Sequence, residues 1–211
     1  MKEEKNRKVS ALVMAGGKAE RLGLEKPLVK LGDKFLIDYV LETLEKSKQI
    51  DEIFILTSKY TMNTHHYLKS RYRMILSSGE DFVEDYRRAA KTLNLEVIVI
   101  MACDLPFLKP ETVDKAVKLF FKSKKETLMV VVKAEDLISL GLKPDFSMEF
   151  LQGKLCPIGL NVINCKRIDE PLLEQEIMIL KNPLEAFNID NKEDLKRARK
   201  ILKMELWTMG S

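Results

Sequence analysis

The sequence predicts an α/β protein built as three layers around a twisted, mostly parallel sheet. Three observations carry this. Short apolar runs alternate with helical periodicities almost throughout, the runs are rich in β-branched residues, and the most apolar of them, Val97 to Met101 (VIVIM), has no polar face. Continuous runs of that kind suit strands buried on both faces, as inside a parallel sheet covered by helices. With 211 residues and 45% hydrophobic content, a single domain over 1–211 is expected, its first residues 1–8 forming a charged lead-in.

The first strand is expected over Val9 to Ala15, where an apolar run ends in small residues ahead of a glycine pair. Ile37, Val40, Leu41 and Leu44 then recur at helical spacing, with Lys46 and Lys48 near the end, and so predict a helix. Ile53 to Thr57 reads as a second strand, Thr61 to Ser70 as a polar segment with helical character, Met74 to Leu76 as a third strand and Phe82 to Leu95 as a helix. After VIVIM, Pro110 suits the first turn of a helix whose inner face is Val113, Ala116, Val117 and Phe120. Leu128 to Val132 is a fifth strand. The stretch from Glu135 to Gly153 reads as irregular, punctuated by Gly141, Pro144 and Gly153, and is a candidate lining for a second substrate site. Leu160 to Ile163 and Ile177 to Leu180 are short strands, and Asn191 suits the cap of a last helix that turns Leu195, Ala198, Ile201 and Leu202 inward.

Lysine and arginine number 36 against 32 aspartates and glutamates, so the net charge of +4 is the small difference of two interspersed populations. Without a basic stripe, and with only 7% aromatic residues for stacking, no nucleic-acid partner is expected. No segment approaches the ~20 apolar residues of a membrane span. The mixed signs of MKEEKNRK do not read as a signal peptide, so a cytoplasmic protein with no membrane partner is expected. Cys103, Cys156 and Cys165 lack CxxC or metal-ligand spacing and are expected as reduced thiols in or near the core. The His65-His66 pair has no partner at metal-binding spacing and is expected on the solvated surface. The abundance of Lys and Glu is a compositional sign of hot habitats.

Chemistry concentrates just beyond the first strand. Ala15-Gly16-Gly17-Lys18-Ala19-Glu20-Arg21-Leu22-Gly23, with Lys26-Pro27-Leu28 after it, sets glycines and the cations Lys18, Arg21 and Lys26 into one loop. Glycines let backbone N–H groups approach phosphate oxygens, and the cations neutralise a polyphosphate. The spacing is neither GxxxxGKS/T nor GxGxxG, so a different phosphate loop is required. Asp104, in Cys103-Asp104-Leu105-Pro106 directly after VIVIM, leaves the same edge of the sheet. It is either a Mg²⁺ ligand, since that ion takes one or two carboxylates plus phosphate oxygens, or a turn and capping residue. Asp190, in Asn188-Ile189-Asp190-Asn191, is open to the same two readings.

These residues resemble a nucleotidyltransferase family built on LxAGGxxxRxGxxKPL, here Leu12 to Leu28 with Leu24 and Glu25 between Gly23 and Lys26. The resemblance implies a Rossmann-like fold of the nucleotide-diphospho-sugar transferase type. It implies catalytic roles for Lys26, Arg21 and Asp104, and a divalent metal, Mg²⁺, on Asp104 and Asp190. Close guanylyltransferases usually carry Asn at the latter position, and Asp keeps the oxygen ligand while adding charge. AGGKAERLGLEKPL, CPIGLNVIN (Cys156 to Asn164) and QEIMIL (Gln175 to Leu180) are together similar to the archaeal enzymes that join GTP to adenosylcobinamide phosphate, which implies those two substrates.

Nucleotide contacts are expected from Ala15, Gly16, Gly17, Lys18, Arg21, Lys26, Thr57, Ser78, Gly79 and Asp104. Ser58, Ser77, Glu80, Asp81 and Glu84 lie in the same segments, the carboxylates being candidate guanine readers or solvated surface. Pro157, Gly159 and Asn161 match a PxGxN element implied to lie near the acceptor, with a plain strand turn as the other reading. A molybdenum cofactor guanylyltransferase, a sugar-phosphate nucleotidyltransferase and a non-catalytic nucleotide sensor are the competing functions. Oligomeric state is left open, a homodimer included.

Overall fold

The structure, a computed structural model, describes residues 7–18, 24–144, 146–151 and 153–209. The central strand β1 (Val9–Met14) pairs in parallel with β4 (Glu52–Thr57) on one side and β6 (Val97–Ala102) on the other. β5 (Arg73–Leu76) extends the sheet in parallel beyond β4. On the other wing, β9 (Gly153–Asn164) runs antiparallel between β6 and β7 (Thr127–Lys133), and β10 (Gln175–Ile179) closes that edge parallel to β7. The order is β10-β7-β9-β6-β1-β4-β5, with β8 (Met148–Phe150) hairpinned onto β9. The sheet is therefore mostly parallel, as expected, with one long reversed strand in its middle.

Alternation along the central strands splits the core between the two faces of the sheet. Ala11 and Val13 of β1 and Val99 and Met101 of β6 pack on one side with α1 (Leu36–Lys46) and α4 (Pro110–Ser123). Leu12, Ile98 and Ile100 pack on the other side with Ala89 and Ala90 of α3 (Phe82–Thr92). Residues on both faces are excluded from solvent, which explains why β6 is written as an unbroken apolar run. α2 (Met62–Leu68) sends Leu68 into the first cluster, and α6 (Lys192–Met209) sends Ala198 there. Among the described residues, no helix is long and apolar enough to cross a membrane.

The structure corrects the sequence reading in three places. The stretch expected to be irregular contains α5 (Ala134–Ser139) and β8, both too short to show a repeat. β9 begins well before Leu160, because Pro157 and Gly159 disguise its first half as a turn. Gly159 adopts φ +83°, and a Cβ there would meet the Cβ of Ala102 at 2.8 Å, so the reversed strand approaches β6 too closely for any side chain. A small antiparallel ribbon, β2 (Lys30–Leu31) with β3 (Lys34–Phe35), precedes α1 and leaves no periodic trace.

Candidate active site

Because β1 and β6 are parallel neighbours with Met14 opposite Ala102, the glycine loop and the Cys103-Asp104 turn leave the same end of the sheet. Between them and the segment after β5 lies a cleft of about 400 Å³. Gly16, Gly17, Lys26 and Asp104 line one part of it, and Ser77, Gly79, Phe82 and Asp85 another. Open α/β sheets bind ligands beyond the carboxyl ends of their strands, where this cleft sits.

The walls are fastened from beneath. Ala15 N–H donates to Leu56 O (2.8 Å), Ser77 N–H to Thr57 O (2.7 Å) and Ser58 Oγ to Gly16 O (2.6 Å). Gly79 adopts φ +71°, and a Cβ there would lie 2.6 Å from both Gly16 O and Ser58 Oγ. The two loops meet backbone to backbone at Gly79 and Gly16. Asp85 holds the second of them by accepting from Ser78 N (2.9 Å), Ser78 Oγ (2.8 Å) and Gly79 N (2.8 Å). Burial works against its charge, but these donors outweigh it and hold the carboxyl below the ordinary aspartate value. Nothing in the local sequence string marks Asp85; its position one turn after Asp81, on the face that buries Ala89, was the available signal.

Lys26 opens a 3₁₀ turn whose Pro27 is buried, and its ammonium contacts Asp104 Oδ2 and lies 2.5 Å from Asp190 Oδ1. Burial disfavours the charged amine, yet Asp104 and Asp190 outweigh it and raise its pKa above the ordinary lysine value. Asn188 Nδ2 donates to the other oxygen of Asp190. Asn191 is the residue that caps α6: its Oδ1 accepts from Glu193 N (2.9 Å) and Asp194 N (3.1 Å). Asp194 returns the bond to Asn191 N (3.2 Å), so capping leaves the Asp190 carboxylate to face Lys26. Asp104 likewise caps nothing, since α4 starts later with Lys109 at its cap.

Glu25, a mere spacer in the motif, accepts from Asn63 N (2.9 Å), Thr64 N (2.7 Å) and Thr64 Oγ1 (2.7 Å) at the start of α2. The lysine turn is thus anchored to a helix terminus that has no side-chain cap of its own. Lys18, at the cleft mouth, pairs with Glu80 (2.7 Å) and lies 5.1 Å from the Tyr60 ring centroid; Glu80 also meets Lys59 (3.3 Å) and the Tyr60 hydroxyl. Those partners, chiefly Lys18, bring the Glu80 carboxyl down to about 2.

Several expected contacts lie elsewhere. Thr57 is fully buried and its hydroxyl pairs with His65 Nδ1 (2.9 Å), so it sits beneath the cleft rather than lining it, and His65 is half-buried rather than solvated. Ser78 is turned to Asp85. Asp81 caps α3, and exposed Glu84 pairs with Arg87 (3.4 Å). Arg21 lies outside the described residues. Cys103 and Cys156 are buried and Cys165 half-buried, all three as free thiols.

A second cleft, of about 350 Å³, has Asp190 in its lining and meets the first through the Lys26–Asp190 contact. Leu137, Leu142, Phe146, Pro157 and Ile158 give it an apolar wall, and Lys143 is a cation on its rim. Pro157 thus faces a cavity; Gly159 serves the approach to Ala102, and Asn161 lies opposite Ile100 and Met129 within the sheet.

Residues 11–202 match the family model described as the MobA-like NTP transferase domain. The chain belongs to this family. It is a nucleotidyltransferase with the fold of the nucleotide-diphospho-sugar transferases. An adenosylcobinamide-phosphate guanylyltransferase of Methanocaldococcus jannaschii is 36% identical over 93% of this chain and 99% of that protein. A probable molybdenum cofactor guanylyltransferase of Thermococcus sibiricus is 30% identical over 92% and 98%. Among solved structures, 4-diphosphocytidyl-2C-methyl-D-erythritol synthase of Anaerococcus prevotii superposes with TM-score 0.71 at 15% identity, over 96% of this chain and 99% of that one. Molybdopterin-guanine dinucleotide biosynthesis protein A of Archaeoglobus fulgidus gives TM-score 0.64 at 22% identity, over 92% and 99%.

Nucleotidyltransferases of this family generally use divalent cations, and the residues here fit one. No group of three or more acidic, His or Cys side chains is gathered among the described residues, but Asp104 and Asp190 converge on one point beside the glycine loop. Two hard carboxylates suit a divalent cation.

Proposed function

We propose that this chain transfers GMP from GTP to adenosylcobinamide phosphate, giving adenosylcobinamide-GDP and pyrophosphate. The observation that carries the reading is the junction of the two clefts: Lys26, Asp104 and Asp190 stand where a triphosphate from one side and a phosphate monoester from the other would meet. The higher identity to the Methanocaldococcus enzyme, 36% against 30% for the Thermococcus sibiricus one over similar lengths, supports this acceptor over the molybdenum cofactor.

In this reading the triphosphate lies along Ala15 to Lys18, its α-phosphate toward Lys26, and the base occupies the far end against Phe82, which is 49% exposed and held edge-to-face by Tyr86. Ser77 Oγ is buried there with no partner at hydrogen-bond geometry among the described residues, and Asp85 has acceptor capacity beside it, so these two are the proposed guanine readers. Lys18 and Arg21 take the β- and γ-phosphates. The acceptor's second phosphate pKa is about 6, so a dianionic oxygen attacks the α-phosphorus at neutral pH without a strong base. That bond forms as the α–β bridge breaks and pyrophosphate leaves. Lys26 is placed to neutralise the charge that builds on the α-phosphoryl oxygens, and the cleft walls fix the approach. A divalent ion on Asp104 and Asp190, Mg²⁺ in this proposal, would supply further charge neutralisation. The apolar second cleft takes the body of the acceptor, with Lys143 toward its phosphate. Both clefts are lined by this chain, and we propose that it acts as a single domain in the cytoplasm.

The test is pyrophosphate release with GTP, ATP, CTP or UTP against adenosylcobinamide phosphate, molybdopterin and a sugar phosphate. Release only with GTP and the corrinoid is expected. Release with molybdopterin in its place would transfer the assignment to that acceptor.

A further inference from the structure

We propose that Lys26 is the resting occupant of the divalent-cation position, so that the ion enters only together with the nucleotide. The inference rests on the reading above that Asp104 and Asp190 hold the ion. Its basis is that the two carboxylates are not vacant: the Lys26 ammonium contacts one and sits 2.5 Å from the other. A Mg²⁺ ion binds oxygen at about 2.0–2.1 Å, so an ion bridging these oxygens would occupy the space now filled by Nζ. Ammonium and ion therefore exclude each other.

Each half of the exchange is unfavourable alone. The lysine side chain is only 19% exposed, and withdrawing it would leave two confined carboxylates facing one another unpaired. Forcing a dication in while the ammonium stays would set like charges in contact at the bottom of the cleft. A triphosphate carrying its own metal would resolve both at once: Asp104 and Asp190 would hold the ion, and the Lys26 ammonium would pair with the phosphates. Anchored by Glu25 on one side and the buried Pro27 on the other, the lysine turn can stay in place while the side chain swings from Asp190 toward the glycine loop. Asn188, bonded to the far oxygen of Asp190, keeps that carboxylate aimed during the exchange.

The experiment measures Mn²⁺ bound to the full-length protein by water-proton relaxation, with and without a GTP analogue whose α–β bridge cannot be cleaved. Wild-type protein without nucleotide is expected to bind Mn²⁺ weakly, and Lys26→Met at least tenfold more tightly. Lys59→Met, which removes a cation that pairs with Glu80 near the cleft mouth, should leave Mn²⁺ affinity as in wild type. Adding the analogue to wild type should produce a ternary Mn²⁺ signal that Asp104→Asn abolishes. If Lys26→Met shows no gain while the ternary signal is present, the placeholder role is overturned and the metal site stands. A ternary signal that is absent, or indifferent to Asp104→Asn, overturns the metal reading itself and the proposal with it. Should Lys26→Met not fold, wild type decides: nucleotide-free Mn²⁺ binding as tight as in the ternary complex overturns the proposal, and binding at least tenfold weaker supports it.

Discussion

Substituting Gly79 by alanine tests how the two nucleotide loops are fitted together. At φ +71° an alanine sits in the left-handed region, a cost of about 1–2 kcal/mol. Its Cβ would also lie 2.6 Å from the carbonyl oxygen of Gly16 and from Ser58 Oγ, where ordinary carbon–oxygen contacts begin near ~3.3 Å. Relief requires the loops to part by roughly 0.7 Å, a typical overpacking cost of about 1–3 kcal/mol. Ser58 cannot simply step aside, because its hydroxyl is what ties Gly16 down. The sum of about 2–5 kcal/mol corresponds to a fall in Tm of about 4–20 °C for a chain of this size. A loop displaced by most of an ångström also misplaces the phosphates, for which a loss of about 10²-fold in kcat/KM is expected. Differential scanning fluorimetry and pyrophosphate release measure the two effects. Gly17→Ala is the internal control: no atom of the described residues lies within 4 Å of a Cβ there, so its Tm should match wild type. A Gly79→Ala protein with wild-type Tm and kcat/KM would refute the backbone-contact argument.

Three further outcomes are expected. Lys26→Ala should lower kcat by about 10²-fold or more, the scale for losing one electrostatic donor to the transition state, and near-normal turnover would remove Lys26 from the α-phosphate. Asp85→Asn should destabilise by about 1–3 kcal/mol at neutral pH by weakening charged hydrogen bonds to the Ser78-Gly79 backbone. Since the folded carboxyl of Asp85 titrates below the ordinary 3.8, its contribution is full above that pH and is lost as pH falls toward the folded value. Acid-unfolding curves of wild type and Asp85→Asn should therefore converge below about pH 3.8 and diverge above it. Finally, burial, with Asp104 adding to it, pushes the Cys103 thiol up to about 12, and burial does the same to Cys165. Native protein should react slowly with a thiol reagent at pH 8 and expose all three cysteines only on unfolding; rapid native labelling of Cys103 would contradict the closed floor of the cleft.

What could be read from the sequence follows the range of the interactions. The strands β1, β4 and β6 announce themselves because each is buried on both faces over most of its length. Gly16, Gly17, Lys26, Asp104 and Asp190 stand in short strings that carry their own chemistry. Ser58, Ser77 and Asp85 do not, since their importance comes from approaching a loop that is distant in the chain. Glu25 is the clearest case, a spacer in the motif whose partners at Asn63 and Thr64 exist only after α2 has docked. The two readings left open for the last box proved compatible in geometry, because neighbouring residues divide them: Asn191 takes the cap and Asp190 turns to Lys26.

The bond between Lys26 and Asp190 spans 164 positions of the chain. At about 5–20 residues per second, a ribosome needs roughly 8–33 s to travel between them. Throughout that interval the growing polypeptide already carries the segment proposed to hold phosphate, yet the last acidic group has not been made. On the proposed function, a nascent or C-terminally clipped product ending before Asp190 would lack one of the two carboxylates that meet Lys26, so the chemistry would be withheld until synthesis is nearly finished.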